Sequence, residues 1–350
     1  MNLIKKTYSQ LCVNIKKINI KSVWLCGRLC VWALQKIVFK LGDKNFIPAS
    51  DERISFLKNY KYELGASILS SVVKEMKFPK ILTIEETINL VIKEHKSVCR
   101  FGDGEFKYLL GLGDSKLYFG QKPAEKLKHR LSEVLHSSHS DILICIYDFF
   151  ASLDKYNYQH QKIARHHMCE FREKIYPFLD FERLYGNAFI SRPYLSLADK
   201  SKTGVFFNEI TQLWDKQDII IIEGAFSKLG VGNDLFDNAR SVKRVLCPPC
   251  SAFDKYEEIL AFAKTLPKNK LILIALGMTA TVLAYDLAGL GYWAVDIGHI
   301  DLEYEWYQKK AKKPIKIMGK YVNDVSSDIS DLLVSNKQPI QKDQILKIIE

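Results

Sequence analysis

From Asp218 onward the sequence alternates short runs of Ile, Val and Leu with segments of helical length, and few folds accept that pattern. Residues 219–222, 242–247, 271–275 and 293–297 are near-continuous apolar runs, each too short for a buried helix. A strand that is apolar on both faces belongs inside a parallel sheet covered by helices on both sides. Residues 256–265 and 279–288 supply two of those helices, and a short third one is expected after Asp234. Upstream, Thr83 and Glu86 read as a capping box ahead of Ile84, Ile88, Val91 and Ile92 at helical spacing. A strand at 97–101, a helix with Leu127, Leu131, Val134 and Leu135 inward, a strand at 142–147 and a long helix at 159–179 follow. Residues 185–191 read as a strand and then a turn. The expected fold is α/β, a Rossmann-like, mostly parallel sheet flanked by helices. With 47% of 350 residues apolar, the chain can fill such a core.

The formal net charge of +11 points to an anionic partner only if it is spread over the folded surface. It is not. Residues 1–42 hold Lys5, Lys6, Lys16, Lys17, Lys21, Arg28, Lys36 and Lys40 and no acid, so the remainder is close to balanced. This distribution argues against a nucleic-acid-binding core. Residues 1–60 are expected to form a basic, partly amphipathic helical extension. It either lies on an anionic membrane surface through residues 1–40 or packs on its own domain or a partner. Its apolar stretch, broken by Arg28, falls short of a membrane span, and it lacks a cleavage site like that of a secretory signal. Residues 61–322 form the expected main domain and 323–350 a polar tail. The eight cysteines show no disulfide-scaffold spacing, which suggests a reducing, cytoplasmic setting, peripheral to the plasma membrane if the arm binds lipid. Cys247-Pro-Pro-Cys250 lacks a second Cys/His pair for zinc.

Polar residues concentrate at the carboxyl ends of the strands, where parallel sheets bind ligands. Asp103-Gly104-Glu105 directly follows the 97–101 strand and places two hard oxygen donors around a glycine; it reads as a divalent-cation motif or as a solvated turn. Gly230-Val-Gly232-Asn-Asp234 offers backbone amides to phosphate ahead of the expected short helix, or is a capped tight turn. Thr279 and Thr281 open another helix after a strand, as an anion site or as caps. His299, within the acidic stretch from Asp296 to Glu305, can serve as metal ligand, general base or phosphate contact, or as a plain polar residue.

Five blocks occur in one order: Arg100-Phe-Gly-Asp-Gly-Glu105, Gly186-Asn-Ala-Phe-Ile-Ser-Arg192, Glu223-Gly with Ser227 and Leu229 to Phe236, Gly277 to Leu287, and Asp296 to Trp306. Over roughly 80–310 the chain resembles the GT-D glycosyltransferases, in which a D-x-E motif replaces the D-x-D of GT-A enzymes. The resemblance implies a nucleotide-sugar donor, a UDP-hexose first, a glycan acceptor on a surface polymer or protein-linked oligosaccharide, and Mn²⁺ or Mg²⁺. It assigns Asp103, Glu105, His299 and Asp301 to the metal site. Arg100, Ser227, Gly230, Gly232, Asn233, Asp234, Thr279 and Thr281 fall to the donor. Asp103, Glu105 and Asp301 are implied in catalysis, with Glu303 or Glu305 as the acceptor base. Met278 stands where the family usually has Pro, and Ser227-Lys228 where it has Ser-Arg. The competing expectation is a non-catalytic, membrane-associated module that binds a nucleotide or glycan.

Overall fold

The structure, a computed structural model, describes residues 77–111, 120–150, 152–322, 324–325 and 339–350, with backbone alone for 166, 169 and 170. The extension expected over 1–60 lies outside the described residues. The chain divides into two units, one of Met1–Lys77 with Gln161–Arg172 and one of Phe78–His160 with Glu173–Glu350. Of the first, the described part is Lys77 and a stretch of helix. Everything below concerns the second.

The second unit is built on nine described strands: β1 (Lys80–Ile81), β2 (Ser97–Phe101), β3 (Ile142–Ile146), β4 (Leu184–Asn187), β5 (Asp218–Gly224), β6 (Ser241–Cys247), β7 (Leu271–Ala275), β8 (Trp293–Asp296) and β9 (Ile345–Ile348). They lie in the order β1-β4-β3-β2-β8-β7-β5-β6-β9, and every neighbouring pair is parallel. The central strands carry the apolar runs read in the sequence, and β3 is buried throughout. Helices α1 (Ile84–Glu94), α2 (Asp103–Leu109), α3 (Glu125–His136), α4 (Tyr158–Ile175), α5 (Thr203–Thr211), α6 (Tyr256–Ala263), α7 (Met278–Gly289) and α8 (Ile300–Gln308) fill the connections. The capping box forms at α1, with the Thr83 amide donating to Glu86 at 2.8 Å and the Glu86 amide to Thr83 Oγ1 at 3.1 Å. α7, apolar on nearly every side, packs on β2 and β8, as a helix without a polar face must.

Three elements depart from the sequence reading. No helix follows Asp234; residues 231–240 are turns, because Asn233 Oδ1 accepts from the Leu235 amide at 3.1 Å and closes a local turn instead. The acidic stretch after β8, to which the sequence reading assigns no element, runs into helix α8, whose apolar and acidic residues share buried faces. Residues 345–348, read as part of a polar tail, add the edge strand β9 beside β6. An edge strand needs an apolar neighbour on one face only, so its sequence carries a weak signal.

Candidate active site

β5 connects to β6 on one side of it, whereas β7, its neighbour on the other side, leads through α7 to β8 in the opposite direction. Such a reversal opens a crevice at the carboxyl ends of the strands. A cleft of about 840 Å³, counted to its open mouth, lies there. Its walls are Gly224 and Ser227 after β5, the 248–252 stretch after β6, Ala275 to Met278 entering α7, Gly298 to Leu302 entering α8, and Tyr321. Gly277, at φ 56° and ψ −139°, caps α7 in a conformation reserved for glycine and brings the first turn of that helix to the cleft. Thr279 in that turn is fully buried and its Oγ1 has no hydrogen-bond partner. Thr281 Oγ1 donates to the Arg100 carbonyl at 2.9 Å, a link between α7 and β2.

Asp103 and Glu105 do not line this cleft; they stand at the end of β2, the strand next to β8, on the first turn of α2 and not in a loop. Glu105 folds back so that its Oε2 accepts from the Gly102 amide at 2.8 Å. Burial pushes its carboxyl up to about 7, against the opposing pull of that amide and of Arg100. Asp103 is open, with 39% of its side chain exposed, and accepts from Lys107 one turn on at 2.8 Å.

Arg100, expected to face phosphate, is instead a brace between strands. Its Nε donates to the Asp296 carbonyl at 3.0 Å, Nη2 to Asp296 Oδ1 at 2.8 Å and Nη1 to Ser191 Oγ at 2.7 Å. The guanidinium lies against Gly298, at φ 46°, where any Cβ would collide with it. Burial pushes the Asp296 carboxyl up, and the Arg100 guanidinium opposes that rise.

The acids of α8 are also occupied. Asp301 reaches the cleft wall, but its Oδ1 accepts from Lys320 at 2.9 Å, Asn233 Nδ2 at 2.8 Å and the Gly230 amide at 2.8 Å, and its Oδ2 accepts from Lys320 at 2.7 Å. Glu305 accepts from Asn233 at 2.8 Å and from Lys309 at 2.5 Å. Glu303 faces the chain at 194–195, accepting from the Tyr194 amide at 3.0 Å and the Leu195 amide at 2.8 Å. Burial raises its carboxyl, with Arg192 and those amides opposing. Neither Glu303 nor Glu305 lines the cleft, so the geometry gives the acceptor-base expectation no support. His299 does line it, with its Nε2 3.7 Å from Asp324 Oδ2. Among the described residues no three His, Cys, Asp or Glu side chains converge as a metal cluster, so the expected four-residue set is not assembled. An ammonium, that of Lys320, holds Asp301 where a metal was expected.

The Gly230 to Asp234 loop is likewise bound inward. Gly230, at φ 69°, would clash with Phe236 if it bore a Cβ, and Asp234 accepts from the Tyr304 hydroxyl at 2.8 Å. Gly232 adopts φ 84° within the same run of turns. Beneath the loop the buried Glu223 and Arg244 pair, and both bond the Leu229 backbone, through Glu223 Oε2 at 2.8 Å and Arg244 Nη2 at 2.8 Å. The loop therefore shapes the cleft through Ser227 and Leu229 and leaves no helix N-terminus behind Gly232. Sequence reasoning missed Lys320, Tyr321, Gln121 and the Pro248-Pro249-Cys250 wall; the last had a signal, since it follows a predicted strand end.

A family model for the glycosyltransferase GT-D fold matches residues 98–325. This chain belongs to the GT-D fold glycosyltransferases. It is 39% identical over 253 residues to a protein of Streptococcus gordonii named probable glycosyl transferase Gly, covering 71% of this chain and 36% of that one. It is 36% identical over 256 residues to the glycosyltransferase GlyD of Streptococcus pneumoniae serotype 4 (strain ATCC BAA-334 / TIGR4), covering 73% and 31%. The chain thus spans about a third of the length of these curated relatives. Among solved structures, the conserved domain of unknown function 1792, described as having a distinct glycosyltransferase fold, superposes with a TM-score of 0.73 at 37% identity, over 81% of this chain and all of that one. A DUF1792 glycosyltransferase from Streptococcus sanguinis gives 0.71 at 35%, over 78% of this GT-D chain and all of its own.

Proposed function

We propose that this GT-D chain moves a hexose from a nucleotide sugar, a uridine diphosphate sugar first among donors, to a surface-glycan or protein-linked oligosaccharide, with Mn²⁺ or Mg²⁺. The observation that carries this reading is the position of Asp103 and Glu105: two carboxylates on one helical turn at the end of β2, a central strand whose neighbour β8 ends at the cleft that receives the first turn of α7. The donor set fits a hard cation. Asp103 is open and its Lys107 partner is partly exposed and displaceable, while Glu105 lies two residues on in the same turn. Two carboxylates suit an ion whose remaining ligands are donor phosphate and water. Asp301 does not fit, because Lys320 already neutralises it.

In this scheme Asp103 and Glu105 hold the cation, which when bound stabilises the departing nucleoside diphosphate as a Lewis acid. The Ser227 hydroxyl and the free amides at the start of α7 bind donor phosphate. Arg100 and Asp296 keep β2 and β8 in register under the site, and Asp301 with Lys320 keeps the far wall in place. The basic residues of 1–40 tether the enzyme to the cytoplasmic face of an anionic membrane. No helix among the described residues is long and apolar enough to cross one.

The test is hydrolysis and transfer with a panel of nucleotide sugars, in Mn²⁺ or EDTA, for the wild type and Glu105→Gln. Release of one nucleoside diphosphate that requires both the metal and Glu105 is expected. Metal-independent turnover, or a complete failure of the panel to bind in a thermal-shift assay, would overturn the proposal and favour the non-catalytic module.

A further inference from the structure

A second cavity, about 870 Å³ counted to its open mouth, lies at the amino ends of β3 and β4, on the edge of the sheet away from the cleft. The two strands are parallel neighbours, so the stretch that enters β3 from the end of α3 stands beside the stretch that enters β4 from the Tyr176–Phe178 turn. β3 is five residues long, which puts this cavity roughly 16 Å from the carboxyl ends of the strands. Phe178, Tyr185, His136, His139, Ser138 and Arg183 are among its walls. Arg183 sets the cavity apart. Arg100, Arg130, Arg192, Arg240 and Arg244 each pair with a carboxylate, whereas the half-buried Arg183 pairs with none among the described residues. Its Nη1 donates to the Leu135 carbonyl at 3.2 Å, and its guanidinium lies 5.4 Å from the centroid of the Tyr185 ring. Those contacts hold the group in place and leave further N–H donors for an anion.

The two histidines complete the same chemistry. His139 Nδ1 accepts from the Asp141 amide at 3.2 Å, so the ring carries its proton on Nε2 and donates from there. His136 Nδ1 donates to the Ser132 carbonyl at 2.7 Å, and its Nε2 gains a proton when an anion stands beside it. A fixed guanidinium, two imidazoles and a hydroxyl around one cavity match the oxygens of a phosphoryl group. The remaining wall is of another kind. Phe178, its ring centroid 6.3 Å from that of His136, offers an apolar ring, and Asp180 holds the Glu182 amide through Oδ1 at 2.9 Å and has a second oxygen for hydroxyl donors. We propose that this cavity is a second ligand site, which binds a sugar carrying a phosphoryl group: the phosphate on Arg183, His136 and His139, the sugar against Phe178 with its hydroxyls on Asp180. Asp180 repels phosphate and so sets which way round the ligand lies. At a strand's length from the acid turn of β2, the occupant is not the reacting donor. It is a free sugar phosphate or a phosphate-bearing unit of a glycan held away from the reaction.

Calorimetry on the full chain tests this with α-glucose 1-phosphate, glucose and inorganic phosphate as probes, each titrated with Mn²⁺ and saturating uridine diphosphate present so that the cleft does not compete. Glucose 1-phosphate is expected to bind about tenfold more tightly than glucose or phosphate, since only it meets both walls. Ser138 is exposed, so Ser138→Glu adds a carboxylate to the cavity without disturbing the core. It should weaken glucose 1-phosphate by about tenfold or more and leave turnover as in the wild type. Arg183→Lys keeps the charge, loses the planar fork and should weaken the same probe by a similar factor. A short oligomer of sugars joined by phosphodiesters separates the two sources: tighter binding than the monomer's assigns the site to a glycan, equal or weaker binding to a free sugar phosphate. Equal affinity for phosphate and glucose 1-phosphate would overturn the sugar contact. Absence of binding, or binding that Ser138→Glu leaves unchanged, would overturn the site and leave the transferase reading standing.

Discussion

Two acidic turns leave neighbouring strands of the same sheet and meet different fates. After β2 comes Asp103-Gly104-Glu105; after β8 comes Asp301-Leu-Glu303-Tyr-Glu305. In the first, Asp103 has 39% of its side chain exposed and its partner Lys107 24%; in the second, Asp301 has 3% and Lys320 1%. The acids look alike in sequence, and their surroundings separate them. Each carboxylate of α8 is matched by an ammonium or by backbone amides, which makes that turn a clamp on the cleft wall. The β2 turn keeps an open carboxylate and a second one that burial holds near neutrality, so it has charge left to offer a ligand.

The largest effect expected from this contrast is on activity at the β2 turn. Glu105→Gln should lower kcat by about a thousandfold, ~4 kcal/mol of transition-state stabilisation, because the amide is a poor ligand for a hard cation. The same substitution should leave the thermal midpoint at neutral pH unchanged or higher, since it removes a carboxylate that burial disfavours. A drop in the thermal midpoint of several degrees would return Glu105 to a structural role and erase the contrast. Next in size is the clamp. Lys320→Met strands Asp301 and Glu305 with the Asn233 amide, the Gly230 N–H and Lys309, and should cost ~3 kcal/mol in denaturant unfolding. Metal affinity should change less than stability does. If Lys320→Met instead gains stability and binds a cation at Asp301, the resemblance-based metal set is the better description.

The parallel sheet was legible from 218 onward because buried parallel strands are apolar on both faces and leave no ambiguity of period. The D-x-E turn was legible because it sits immediately after such a strand. What the sequence concealed is the pairing. Lys320 follows a stretch with five other lysines, 309–316, and nothing local distinguishes the lysine whose ammonium is buried. α8 went unassigned because acids alternate with apolar residues there, and the burial of Asp301, Glu303 and Glu305 comes from tertiary partners. Arg100 was misassigned for the same reason, since its partners Asp296 and Ser191 come from other strands' ends.

The pH dependence of stability offers a smaller effect. Glu105 titrates near 7 in the folded chain, above the usual carboxylate value of 4.5, so the folded state holds that proton more tightly than the unfolded state. Its contribution is therefore fully present below about pH 4.5 and lost as the pH rises through about 7. Without metal, the wild type should lose up to ~1.4 kcal/mol per pH unit in that window relative to Glu105→Gln. Parallel stability curves for the two proteins would show that the carboxylate is hydrated, and would remove one of the two features that set the β2 turn apart.

The smallest effect is the sharpest control, because it repeats the substitution of the clamp at the open turn. Lys107→Met removes an ammonium from Asp103 just as Lys320→Met removes one from Asp301. A partly exposed pair one helical turn apart contributes only a few tenths of a kcal/mol, since water solvates both partners when they separate. Stability should thus change by less than ~0.5 kcal/mol. Mn²⁺ affinity should rise by a small factor, because the ion no longer competes with Lys107 for the Asp103 carboxylate. Lys107 meets the partly exposed Asp103 and Lys320 the buried Asp301 and Glu305, so a difference in cost between these variants reports the burial of the carboxylates left unmatched and their number. Equal costs would mean that Asp301 is as accessible as Asp103, and the distinction between ligand turn and clamp would fail.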